Sequence, residues 1–145
     1  VKLCSMNNDS PQSIFKGGEE VEINVRAKAN KAIQNPILGF IVKDRLGQDL
    51  FGENTLFMKG NKIDFSVLPG QEILGVFRLI MPMLTNGEYT VMASIADGDI
   101  ANNVQHHWVE DAVIIRIHTS RVRYGLVGAV IYGIDISIYD QQENT

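Results

Sequence analysis

Apolar and polar residues alternate with a period of two through most of this chain, a pattern that suits strands and excludes long amphipathic helices. Val21, Ile23, Val25, Ala27 and Ala29 alternate with Glu20, Glu22, Asn24, Arg26 and Lys28, so a strand here sorts apolar side chains to one face and charges to the other. Tyr89, Val91, Ala93 and Ile95 repeat the pattern against Thr90, Met92, Ser94 and Ala96. Val113, Ile115 and Ile117 do so against Ile114, Arg116 and His118, and Ile134, Ile136 and Ile138 against Asp135, Ser137 and Tyr139. Residues 37–42 and 73–80 are apolar on both faces, as central strands are. Residues 1–6 supply a further short strand. Turn chemistry separates the runs: Lys16-Gly17-Gly18, Asn35-Pro36, Leu46-Gly47-Gln48, Lys59-Gly60-Asn61, Pro69-Gly70, Asn86-Gly87 and Asp97-Gly98-Asp99. The best helical stretch, 100–107, is short and poor in helix formers. Short strands at fairly regular spacing predict an all-β, antiparallel sandwich or barrel.

At 145 residues the chain fits one domain over 1–145, large enough to bury a core without staples. Its 13 Lys and Arg against 17 Asp and Glu give a net charge of −4, a poor balance for nucleic acid or an anionic membrane. The single cysteine, Cys4, excludes an internal disulfide framework. No apolar run reaches the ~18 residues of a spanning helix, and no signal peptide is visible. The chain opens at Val1, which reads as the start of a fragment of something longer; residues 1–16 read as an N-terminal strand and linker.

The chain lacks a phosphate-binding Gly-x-x-x-x-Gly-Lys-Ser/Thr loop, a Gly-x-Gly-x-x-Gly and a Gly-x-Ser-x-Gly, so no nucleotide or nucleophile chemistry is expected of it. Adjacent His106 and His107 on a strand point to opposite faces, and no carboxylate or thiol spacing joins them to His118, so no metal and no cofactor is expected. Asp97 and Asp99 flank a glycine, where such pairs serve a turn rather than glycoside cleavage. Gln105-His106-His107-Trp108 is the most informative cluster: an aromatic face stacks on sugar C–H groups while amides and imidazoles bind hydroxyls. The alternative for Trp108 is core packing. Asp44 and Arg45 follow the 37–42 run, where an arginine fork grips oxygens or the two form a surface pair. Arg116, His118, Arg121 and Arg123 form a basic, solvated face.

Asn35-Pro36-Ile37, the run Gly39-Phe40-Ile41-Val42-Lys43-Asp44-Arg45-Leu46-Gly47-Gln48-Asp49-Leu50-Phe51-Gly52-Glu53-Asn54-Thr55, Gly87-Glu88-Tyr89, Ala96-Asp97-Gly98, Gln105-His106-His107-Trp108 with Asp111-Ala112, and Gly125-Leu126-Val127-Gly128 occur in that order. Together they resemble the C-terminal domain of Wzt, the ATP-binding subunit of O-antigen polysaccharide ABC exporters, over roughly residues 17 to 139. The resemblance implies an immunoglobulin-like or jelly-roll-like sandwich. It implies a noncatalytic carbohydrate-binding module for the modified non-reducing end of a lipid-linked O-polysaccharide, and no enzyme activity of its own. The strings are most similar to exporters of polymannose O-antigens with a methylated or methyl-phosphorylated end. The implied partners are that polysaccharide terminus, a covalently linked ATPase domain that precedes the module and is absent here, a membrane permease subunit and a second copy in a homodimer. The implied location is cytoplasmic, peripheral at the inner face of the bacterial inner membrane. Chemistry, rather than the resemblance, selects Gln105, His106, His107, Trp108, Asp44 and Arg45 as carbohydrate-binding candidates. Residues 130–139 read as a terminal strand exchanged between the two chains through the glycine-containing segment 125–129. The competing reading is a β-sandwich for protein interaction or adhesion.

Overall fold

The computed structural model describes residues 2–5, 12–55, 66–97, 104–118, 120–122, 125, 127–129, 133 and 135, with 104–112 described as backbone. The described residues hold eight strands and no helix: β1 Lys2–Ser5, β2 Ile14–Phe15, β3 Glu20–Lys28, β4 Pro36–Lys43, β5 Asp49–Asn54, β6 Glu72–Ile80, β7 Gly87–Asp97 and β8 Val104–Ile117. They form two sheets, one of order β1-β3-β6 and one of order β2-β8-β7-β4-β5. All pairings are antiparallel except the short β2–β8 contact. The fold is an all-β sandwich, as the alternation predicts.

The alternating residues make its interior. On β3, Val21, Ile23 and Val25 are buried while Glu20 and Arg26 are exposed. Opposite them stand Leu38, Phe40 and Val42 of β4, Tyr89, Val91, Ala93 and Ile95 of β7, and Ile115 and Ile117 of β8. Phe40 joins the sheets, meeting Phe77 of β6 edge-on at 5.0 Å between ring centroids and Phe51 of β5 at 6.2 Å. Edge-on contact sets the positive rim of one ring against the negative face of the next. The Tyr89 hydroxyl donates to the Thr85 carbonyl at 2.7 Å, so its polar tip is satisfied where the ring is buried. No described buried side chain leaves a nitrogen or oxygen unpartnered.

Two glycines explain the β4–β5 hairpin. Gly47 has φ +79° at the turn, a left-handed conformation that costs other residues energy. On β5, a Cβ at Gly52 would run into the Phe40 carbonyl, so only glycine lets the strands approach.

Three details depart from the sequence reading. Among the described residues the 73–80 run is not a central strand: β6 is the edge of its sheet, and Leu74 and Ile80 are 48 % and 64 % exposed. Its two apolar faces arise because one stays in water. β5 carries too little alternation to announce itself, and β8 begins nine residues before Val113. The Asp97 carboxylate accepts from the Gln34 and Asn35 N–H groups at 3.4 and 2.9 Å, tethering the approach to β4, while the rest of its expected turn, 98–99, lies outside the described residues. The terminal strand expected over 130–139 lies outside the described residues, apart from 133 and 135, which are not in a strand.

Ile115 is fully buried and Ile80 is 64 % exposed. Ile115→Ala should cost about 2–5 kcal/mol in urea unfolding, and Ile80→Ala no more than about 0.5 kcal/mol. Equal losses would contradict the assigned faces.

Candidate functional site

The long β8 strand carries Gln105-His106-His107-Trp108 alongside the second half of β7. Trp108 pairs with Ser94, His107 with Ile95 and Gln105 with Ala96. The register skips His106, the extra residue of a bulge between Ile95 and Ala96. A bulge adds local twist and re-aims the residues beside it, so strict alternation does not hold here. The expectation that the two histidines fall on opposite faces rested on that alternation.

From Trp108 a single register row crosses the sheet. Trp108 pairs with Ser94, Ser94 with Gly39, and Gly39 with Asn54. Directly opposed residues share a face. For Gly39 and Ser94, the two inner members of the row, that face is the one turned away from the core, because their neighbours Leu38, Phe40, Ala93 and Ile95 face inward. A Cβ at Gly39 would stand 3.1 Å from Ser94 Oγ and 3.2 Å from both Asn54 Cβ and the Glu53 carbonyl, so glycine lets the neighbouring strands close tightly on β4 at this buried point. Hydroxyl and amide groups each donate and accept, as polyhydroxylated ligands require. Gly39, Ser94 and Asn54 were not among the sequence candidates. The one available signal was a glycine inside an otherwise apolar strand, which marks a close approach or a gap.

Asp44 and Arg45 lie elsewhere. Asp44 Oδ1 accepts from the Leu46 and Gln48 N–H groups, both at 2.9 Å, and its backbone closes the same turn through Gln48 and Gly47 at 3.1 Å each. Its carboxylate therefore builds the β4–β5 hairpin, and Arg45 is exposed at the tip. Lys43, next to them, pairs with Thr90, whereas His107 pairs with Ile95. Five residues of strand, about 17 Å, separate the two clusters, and the structure does not bring them together. In the basic group, Arg116 donates to Glu88 at 2.9 Å in an exposed pair, and Arg123 lies outside the described residues. Among the described residues no three His, Cys, Asp or Glu side chains group to hold a metal, and no helix is long and apolar enough to cross a membrane.

The two sheets and their order define the class: an all-β sandwich domain. The family model described as the Wzt C-terminal domain matches residues 1–129, and the chain belongs to that family. The match includes residues 1–16, which carried little of the resemblance. Membership makes this an O-antigen-exporter-associated domain, the C-terminal, non-ATPase part of such a subunit. A solved structure described as the crystal structure of the C-terminal domain of wzt is similar at a TM-score of 0.74 and 19 % identity, over 95 % of this chain and 80 % of that one. At that identity the likeness speaks for the fold. No curated protein sequence matches the chain.

Asp44→Ala should lower stability by about 1–2 kcal/mol in thermal unfolding, because two backbone donors lose their acceptor. Arg45→Ala should leave it unchanged. An Asp44→Ala protein as stable as the parent would refute the turn assignment.

Proposed function

We propose that this domain is a noncatalytic carbohydrate-binding module that recognises the modified non-reducing terminus of a lipid-linked O-antigen polysaccharide and couples it to export by an ABC transporter. The observation that carries the reading is the register row Asn54–Gly39–Ser94–Trp108 in a chain of the Wzt C-terminal domain family. In this reading Trp108 supplies an aromatic wall, while Gln105, His106, His107, Ser94 and Asn54 supply polar groups for hydroxyls. Asp44 and Arg45 then stand apart from the sugar, with Arg45 free to serve a second contact on a longer chain. The polymer is a polymannose capped by methyl or methyl phosphate, which distinguishes a finished chain from a growing one.

The same reading places the domain on an ATPase domain and, through a permease subunit, at the inner face of the bacterial inner membrane. It works as a homodimer in which residues 130–139 of each chain complete the other. The open edge of β8 supports this assembly: among the described residues β8 is paired on its second side only where Arg116 and Ile117 meet β2. An open edge of that length invites a further strand.

Titration calorimetry with purified polysaccharide tests the binding claim. A single sugar end buries little area, so the affinity should fall in the micromolar to millimolar range. Trp108→Ala should weaken binding at least tenfold while leaving the melting temperature within a few degrees. Polysaccharide stripped of its cap should bind at least tenfold more weakly. Equal binding by capped and uncapped chains would overturn end recognition. Unfolding of the Trp108→Ala protein would assign that residue to the core.

A further inference from the structure

The sandwich is filled at one end and hollow at the other. Toward the filled end, Phe15, Ile23, Phe40, Phe77, Tyr89 and Ile117 occupy the space between the sheets. Toward the other end the facing residues shrink to Ala27 on β3 and Ala29 just beyond it, Gly75 on β6 and Ala93 on β7. Sheets in a sandwich pack about 10 Å apart, and alanine does not span that distance. The result is a cleft of about 430 Å³ whose apolar walls include Val25, Ala27, Ile33, Leu38, Ala93 and Ile95. The volume lies in the range of small-molecule sites. At about 30 Å³ per water-sized group it holds roughly ten to fifteen non-hydrogen atoms.

Arg26, Lys28 and Lys31 line the opening, and among the described residues no Asp or Glu lines it. Arg26 is engaged with Glu72 at 3.6 Å, whereas Lys28 and Lys31 have no ion pair among the described residues. In a chain of net charge −4, three cations with one neighbouring carboxylate, Glu72, above an apolar floor are a local reversal.

We infer that this cleft binds a small anionic amphiphile, with its apolar body between the sheets and its carboxylate or phosphate head against Lys28 and Lys31. The cleft adjoins the glycan platform at Ser94, which also lines it, but its apolar walls come from the inward side of β7 at Ala93 and Ile95. An uncharged or cationic ligand of the same shape loses the two lysines, and a larger apolar body does not fit.

Titration calorimetry of the full chain with octanoate and octyl phosphate tests this, with octanol and octyltrimethylammonium as controls. At least one anion should bind saturably, at least tenfold more tightly than octanol, and the ammonium should not bind. Which anion binds more tightly tells a carboxylate head from a phosphate one. Lys28→Glu with Lys31→Glu should weaken anion binding at least tenfold without lowering the melting temperature, because both side chains are exposed. Ala93→Leu should abolish binding by filling the cleft. If that protein fails to fold, the lysine pair alone decides. Trp108→Ala should leave octanoate binding unchanged, which separates failure here from failure of the glycan reading. Absence of binding by both anions, or octanol binding as tightly as octanoate, would overturn the inference.

Discussion

Contact between Phe40 and Phe77 holds the two sheets at their working separation, and most of the molecule follows from it. One ring comes from β4, one strand in from the edge of the five-stranded sheet, and the other from β6, at the edge of the three-stranded one among the described residues. The pair fixes which face of each strand is inside. Once Phe40 points inward, period-two geometry turns Gly39 outward and brings Leu38 inward. The outward placement of Gly39 and Ser94 and the inward cleft beneath Leu38 are therefore two consequences of one orientation. A slip of one residue along β4 would exchange them.

The same geometry explains why strand β7 serves two purposes. Its odd-numbered residues Tyr89 to Ile95 run from the filled end of the interior to the hollow end, with side chains becoming smaller at Ala93. Its even-numbered Ser94 faces the other way, into the register row. Chemistry on one side of the strand is separated from chemistry on the other by the thickness of a single sheet. Asp97, at the end of the strand, holds the 34–35 backbone against it and keeps the start of β4 in register.

Alternation made the strands legible where one face meets the core and the other meets water. β3 reads so because Val21, Ile23 and Val25 are interleaved with Glu22, Asn24 and Arg26. It failed where that condition lapses. β6 is an edge strand with leucine and isoleucine in water, so its sequence imitates a central strand. β5 has Leu50 and Phe51 adjacent and a glycine next to them, which leaves no period to read. The first half of β8 is interrupted by the bulge at His106, and a bulge breaks period two by adding a residue. Of the candidate site, the 105–108 cluster was legible from its chemistry. Ser94, Gly39 and Asn54 were not, because only strand pairing brings 54, 39, 94 and 108 into one row. Asp44 illustrates the converse: its charge and its neighbour Arg45 suggest a ligand site, while two backbone N–H groups claim its carboxylate.

The central claim is that the ligand lies across β5, β4, β7 and β8 on the outward side of the sheet. Amide chemical-shift mapping with a purified terminal oligosaccharide tests it most directly. The account predicts that the largest shifts fall on Gly39, Asn54, Ser94 and residues 105–108, with Asp44 to Gln48 and the β3–β6 pair unmoved. Shifts concentrated on the β4–β5 turn or on the three-stranded sheet would contradict it.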